Sequence, residues 1–110
     1  MTEAEIFNHF AAHGIKTKYG ELYLPKAKAL DFITACEENG LAIIGIEGFI
    51  IVDDSILPQT DLIADYSPSL SPRGTDWIDY SHRCNTAVLE FVQRANSQRN
   101  LYFTFVVMSY

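Results

Sequence analysis

The chain has 110 residues, of which 48% are hydrophobic and 13% aromatic, and its formal net charge is −6. This length fits a single domain over residues 1–110 with one core, and the apolar content excludes a disordered chain. The longest apolar tract, residues 41–52, is too short to span a membrane, and the N-terminus carries acids where a secretory signal needs Lys or Arg. We therefore expect a cytoplasmic protein.

Two helices are predicted in the first part of the chain. Thr2 begins the first helix, with Glu5 as its capping-box partner, and Gly14 ends it. Pro25 belongs to the first turn of the second helix, and Asn39-Gly40 ends it because glycine readily adopts a positive φ. Apolar residues recur at helical spacing in both segments: Ile6, Phe7, Phe10 and Ala11, then Ala29, Leu30, Ile33 and Cys36.

Short strands are predicted between and after these helices. Residues 19–24 alternate weakly and suggest an edge strand. Residues 41–46 and 49–52 are rich in β-branched residues, and they form either a hairpin or one long strand with a glycine bulge. The next twenty residues contain three prolines and several serines and are predicted as a loop, in which 61–66 could form a short strand.

A third helix and a final strand complete the chain. Residues 101–108 are apolar on both faces, a pattern that predicts a central strand covered above and below. We therefore predict an α+β fold, with a small mixed or antiparallel sheet and about three helices packed against it. The apolar stripe that predicts the third helix consists of Trp77, Tyr80, Cys84, Val88, Phe91 and Ala95.

The net charge is concentrated in the middle of the chain. Residues 47–79 contain seven acids and one base, Arg73, and so carry a charge of −6, whereas the flanking thirds cancel each other. Such a field repels nucleic acid and anionic membranes and attracts a basic protein. The acids of this segment are Glu47, Asp53, Asp54, Asp61, Asp65, Asp76 and Asp79.

The sequence offers no catalytic group, cofactor or metal site that we would assign. His9 and His13 have i,i+4 spacing, but Phe10 stands where the zincin pattern needs Glu, so we interpret them as a polar helix face. His82 is predicted near Asp79 and Arg83 with no nucleophile beside it. The acids lack calcium-loop spacing, and no glycine-rich phosphate loop is present.

Other reactive and aromatic side chains have simpler interpretations. Cys36 and Cys84 lie on apolar helix stripes and are predicted to be buried, reduced thiols. Trp77 is predicted as a core anchor. Tyr66, between Asp65 and a serine in the predicted loop, is a better candidate for contact with a partner, because interfaces favour tyrosine.

Residues 29–33 followed by 39–45 have the pattern of a helix, a glycine and a strand. In this they resemble the core of bacterial immunity proteins of polymorphic-toxin and contact-dependent growth-inhibition systems. Asp76-Trp77, Ser81, the helix end at 89–92 and the closing strand 102–107 are also similar to one such family. The resemblance covers roughly residues 25–108.

This resemblance implies a cytoplasmic bacterial antitoxin that binds the C-terminal toxin domain of a delivered toxin, often a basic nuclease, as a monomer or homodimer. No cofactor, nucleic acid or membrane is expected to bind. A small metal-dependent or hydrolytic enzyme, or an adaptor for another basic protein, is the alternative. The expected partner-binding residues are Glu47, Asp53, Asp54, Asp61, Asp65, Tyr66, Asp76 and Asp79.

Overall fold

A five-stranded antiparallel sheet carries three helices in the computed structural model, which describes residues 1–66, 76–95 and 100–110. The strands lie in the order β1-β2-β5-β3-β4. The predicted α+β class and antiparallel sheet are confirmed. In chain order the elements are α1 (Glu3–Phe10), a short 3-10 turn (Ala11–His13), β1 (Ile15–Lys16), β2 (Leu22–Pro25), α2 (Lys26–Glu38), β3 (Ala42–Val52), β4 (Ser55–Asp65), α3 (Trp77–Arg94) and β5 (Leu101–Met108).

The helix boundaries follow the local signals in the sequence. The Thr2 side chain accepts from the Glu5 backbone N–H, and the Glu5 side chain accepts from the Thr2 backbone N–H, which completes the capping box. Pro25, which was predicted in the first turn of α2, is instead its N-cap and the last residue of β2. The helix ends at Glu38 with Asn39 as its C-cap, and Gly40 follows at a φ of 69°. No helix in the described part of the chain is long and apolar enough to cross a membrane.

The core lies between the helices and one face of the sheet. Phe32 of α2 stacks on Phe105 of β5 with ring centroids 4.8 Å apart, and Phe7 and Phe10 of α1 meet Phe32 edge-on. Val88 and Val92 of α3 belong to the same buried cluster. All three helices therefore cover the same side of the sheet.

The other side of β5 is not covered in the way the sequence suggested. β5 is central, as predicted, but Val106 is 59% exposed. The expectation of cover above and below was wrong, because the apolar pattern of a strand does not reveal which face receives the helices. β2 was also expected at an edge, whereas it lies between β1 and β5.

The largest difference between the structure and the sequence interpretation is in the β3–β4 hairpin. Residues 42–52 form one long strand, the second of the two alternatives, and residues 55–60 are not a loop but the first half of β4. Pro58 is tolerated because β4 is an outer strand. The proline- and serine-rich stretch 67–75, which was also predicted as loop, lies outside the described residues.

Candidate functional site

Most of the net negative charge of the molecule is located on the β3–β4 hairpin. Residues 42–65 contain five acids and no Lys, Arg or His, so this segment holds −5 of the net −6. All five side chains are exposed, and Glu47, Asp53, Asp54 and Asp61 form no salt bridge within the described part of the chain. The fifth acid is Asp65. The hairpin is therefore a strongly negative, solvent-facing element.

Asp53 and Asp54 form the tip of this hairpin. Val52 pairs with Ser55, so the turn consists of these two aspartates alone. Asp53 has a φ of 54°, a left-handed conformation that Asp and Asn tolerate better than most residues. The turn therefore explains one of the two aspartates structurally, and it directs both carboxylates into solvent.

Glu47 and Asp65 lie together on the face of the sheet that the helices leave uncovered. Glu47 is opposite Ile63 and Asp65 is opposite Gly45, so the two acids are diagonal neighbours on adjacent strands. Both line a shallow hollow of about 360 Å³ together with Thr104 and Val106. The hairpin tip at Asp53, by contrast, is about 20 Å from Glu47, given about 3.3 Å per residue along β3.

Tyr23 extends this face towards β2. Its hydroxyl donates to Glu21 Oε2 at 3.0 Å, and its ring meets Phe49 edge-on. Burial raises the pKa of Tyr23, and the hydrogen bond to Glu21 and the charges of Glu21 and Glu47 raise it further. Glu21 therefore adds an exposed carboxylate to the uncovered face, which sequence analysis did not include among the site residues.

Asp61 lies on the opposite side of the hairpin because the β3–β4 register shifts. Glu47 pairs with Ile63 but Gly48 pairs with Gln59, which leaves three extra residues, 60–62, in β4. Leu62 packs over Gly48, where an added Cβ would lie 2.7 Å from the Leu62 Cβ. Regular alternation would put Asp61 on the face of Asp65, and the bulge prevents this.

Tyr66 and Asp61 line one hollow of about 370 Å³ beside the C-terminal half of α3. The Tyr66 ring is half-buried and packs against the main core, and its backbone N–H donates to the Ile44 carbonyl at 2.8 Å. Burial raises the pKa of Tyr66, and the nearby Glu90 carboxylate raises it further. Tyr66 is thus a packed residue at a surface hollow rather than a fully exposed contact.

The two remaining acids of the predicted site have structural partners on α3. Asp76 is the N-cap, and its Oδ1 accepts from the Ile78 N–H at 3.0 Å. Asp79 forms an i,i+4 salt bridge of 3.1 Å with Arg83. Trp77, predicted as a core anchor, is half-buried: it stacks on Tyr80, contacts the exposed Tyr110 ring and donates from Nε1 to the Gly40 carbonyl at 2.7 Å. It therefore anchors the start of α3 at the edge of the core.

A polar network that the sequence analysis did not predict joins α2, α3 and β3. Asn85 is 2% exposed; its Oδ1 accepts from the Ile43 N–H at 2.9 Å, and its Nδ2 donates to the Leu41 carbonyl at 2.8 Å and to Glu37 Oε2 at 2.9 Å. The second oxygen of Glu37 contacts His82 Nδ1 at 3.0 Å. The predicted neighbours of His82 were Asp79 and Arg83, and its partner is instead Glu37.

Metal ligands and the two cysteines are the remaining candidates for a reactive site. Within residues 1–66, 76–95 and 100–110, no group of three His, Cys, Asp or Glu side chains is arranged to hold a metal ion. Both cysteines are unpaired and buried, as predicted, and burial raises the pKa of the Cys36 thiol to about 12. A thiol with that pKa is a poor nucleophile near neutral pH.

The eight predicted site residues therefore do not form one patch. They lie at the hairpin tip, on the uncovered sheet face, in the α3 hollow and at the start of α3. The feature common to most of them is the hairpin itself. In comparisons with protein-family models, curated proteins and solved structures, this chain matched none.

Proposed function

We propose that this protein is an immunity protein that binds and neutralises the C-terminal toxin domain, of nuclease type, of a contact-dependent or polymorphic toxin. One observation carries the proposal: the β3–β4 hairpin exposes five carboxylates and contains no basic residue. Nucleases bind a phosphate backbone through Lys and Arg, and the same cations are attracted by a surface of this sign. The choice of a toxin as the partner rests on the sequence resemblance.

Neutralisation in this proposal is steric and electrostatic. The carboxylates attract the basic face of the toxin and fix the orientation of the encounter, while the apolar side chains between them provide the packed contact. Val52, Leu57 and Ile63 are 44%, 52% and 50% exposed on this hairpin. The acids are expected to govern the association rate, and the apolar contacts are expected to govern the lifetime of the complex.

The test combines host survival with binding kinetics. The gene immediately upstream is first sequenced; if it encodes a toxin, the C-terminal toxin domain is expressed in a bacterial host with and without this protein, and the purified pair is then measured at several salt concentrations. The double variant Asp53→Asn/Asp61→Asn is expected to lower the association rate about tenfold at low salt and to weaken its salt dependence.

A matched control separates the effect of the hairpin carboxylates from the effect of the total net charge. Asp31→Asn/Glu38→Gln removes the same two charges from exposed positions of α2, and its association rate is expected to stay close to that of the unmodified protein. Equal effects of the two double variants would assign binding to net charge alone. A host that the unmodified protein fails to protect would overturn the antitoxin proposal.

A hydrolytic enzyme is the second candidate, and the His82–Glu37 pair is the observation that favours it. Glu37 holds Nδ1 of His82 at the rim of a groove of about 310 Å³ between α2 and α3, which orients the opposite ring nitrogen outward. Hydrolysis of general ester or phosphodiester substrates by the purified protein, lost in His82→Gln, would support this candidate over the antitoxin.

The third alternative, an adaptor for another basic protein, shares the hairpin surface and predicts binding without protection from a toxin.

A further inference from the structure

The outer edge of β4 has backbone groups that β3 does not use. A two-residue turn closes the hairpin, so the residues that flank it form a hydrogen-bonded pair and the pattern then alternates along the strands. Ser55, Leu57 and Gln59 consequently direct their N–H and C=O groups towards β3. Ile56 and Pro58 direct theirs away from the sheet.

This edge is exposed and apolar over several residues. Ser55, Ile56, Leu57 and Pro58 are all exposed, with the Ile56 and Leu57 side chains, on opposite faces of the strand, 37% and 52% exposed. Pro58 lacks an N–H at an outward position, so the Ile56 N–H is the donor of this stretch. The outward carbonyl of Ile56 is its acceptor, and the Pro58 carbonyl already accepts a long 3.4 Å hydrogen bond from the exposed end of the Gln59 side chain, which a pairing strand would replace. A short added strand would therefore find backbone partners along the edge and apolar contacts on both faces.

The charges that flank the edge select the strand that fits it. Asp53 and Asp54 precede the stretch 55–59 and Asp61 follows it, all three exposed. When a second copy pairs two-fold and antiparallel about Leu57, so that residues 55–59 of both copies overlap, Asp53 of each copy lies near Asp61 of the other. Like charges at this distance oppose the pairing. A strand with Lys or Arg near its ends would instead place these cations beside Asp53, Asp54 and Asp61, and opposite charges favour the pairing.

We propose that the outer edge of β4, from Ser55 to Gln59, binds an extended segment of the partner protein as a sixth strand, and that this segment is apolar in its middle with Lys or Arg near both ends. The inference rests on the proposed function in that the partner is a basic protein. It adds the mode of binding, backbone pairing at a sheet edge, and the location, the distal half of β4.

A peptide probe tests the edge without the toxin. The probe is a short synthetic peptide of alternating valine and threonine with a pair of lysines at each end, and the control peptide carries glutamates in their place. Amide exchange by NMR is expected to slow at least about tenfold at Ile56 with saturating lysine peptide and to be unchanged with the glutamate peptide. Unchanged exchange at Ile56 with the lysine peptide overturns the proposal.

Two variants of Ile56 provide the matched comparison. Ile56→Pro removes the outward N–H without removing a bond to β3, whereas Ile56→Val keeps both the donor and an apolar side chain. Peptide binding is expected to fall at least about tenfold in the proline variant and to persist in the valine variant. Equal binding by both overturns edge pairing, and the exchange measurement decides the question on the unmodified protein if the proline variant does not fold.

The same variants separate this inference from the proposed function. If both Ile56 variants protect the host from the toxin equally well, edge pairing is wrong and the antitoxin function stands. If the lysine peptide protects the Ile56 amide but the unmodified protein does not neutralise the toxin, the edge inference stands and the toxin proposal is wrong. Protection of Ile56 that appears without peptide as protein concentration rises identifies a second copy as the occupant and overturns the proposal.

Discussion

The Asn85 side chain joins α3 to Glu37 at the end of α2 through a 2.9 Å hydrogen bond, while the same amide bridges the backbone of Leu41 and Ile43. A single buried side chain thus fixes the start of β3 against two helices. Buried backbone groups that lose their partner retain their full desolvation cost, which makes such a bridge sensitive to truncation. The hairpin that holds the acidic surface begins at this point, since β3 is its first strand.

Asn85→Ala is expected to lower the free energy of unfolding by about 2–4 kcal/mol, because it leaves the Ile43 N–H and the Leu41 carbonyl buried without their partner. Urea denaturation followed by circular dichroism measures the change. Thr86→Ala, at the neighbouring exposed position of the same helix, is the control and is expected to change stability by less than about 0.5 kcal/mol. A similar loss in both variants would show that the bridge contributes little.

Gly48→Ala is expected to destabilise the protein by about 1–3 kcal/mol, since the new Cβ would lie 2.7 Å from Leu62 Cβ and 2.8 Å from its Cδ1. Gly45→Ala is the matched control in the same strand, because its nearest contact is Val106 Cβ at an acceptable 3.4 Å. Thermal unfolding of both variants measures the difference.

The double variant Gly48→Ala/Leu62→Gly tests the stated cause, because Leu62→Ala would keep the Cβ that lies 2.7 Å from the added methyl group. If the clash with Leu62 is responsible, the two substitutions are expected to be non-additive, with a coupling of at least about 0.5 kcal/mol that favours the pair. Simple additivity would instead indicate that Gly48 is needed for the backbone geometry of the bulge.

Asp53→Gly is expected to stabilise the hairpin by about 0.5–1 kcal/mol, because glycine adopts the left-handed φ of this position without steric cost. Asp53→Asn keeps a residue tolerant of that φ and removes only the charge, so it separates conformation from electrostatics. Asp54→Gly is the positional control, since Asp54 does not have a positive φ, and it is expected to be destabilising. The opposite ranking of the two glycine variants would contradict this assignment of the turn.

Local signals in the sequence account for the helices, whereas the sheet pairings required the structure. The capping box at Thr2 and the Asn39-Gly40 stop act within one or two turns of the chain, so a sequence reveals them directly. The first half of β4 was missed because Pro58 and the aspartates are typical of loops. Proline is acceptable there only because its missing N–H faces away from β3, which depends on strand order.

The candidate site was predicted in composition but not in arrangement. The acidic character of the middle segment follows from counting residues, and the structure distributes these acids over two sides of one hairpin, its tip and the start of α3. The three-residue register shift that separates Asp61 from Asp65 has no sequence signal stronger than Gly48. Asn85, in contrast, could have been found, because helical spacing places it, like Ser81, beside the buried residues Tyr80, Cys84 and Val88.

Alkaline pH is expected to destabilise the protein through Cys36. Burial raises the pKa of this thiol from 9.0 to about 12, so above pH 9 the unfolded chain loses the proton while the folded protein keeps it. The stability that this thiol contributes is complete below pH 9 and is lost as the pH rises towards 12, at no more than about 1.4 kcal/mol per pH unit. Cys36→Ala lowers stability at every pH by leaving a cavity, and its decline between pH 9 and 10 is expected to be shallower than that of the unmodified protein. Buried tyrosines with raised pKa values, Tyr23 and Tyr80, maintain a residual slope in both proteins. Parallel pH profiles of denaturant midpoints in the two proteins would mean that Cys36 ionises equally in the folded and unfolded chains.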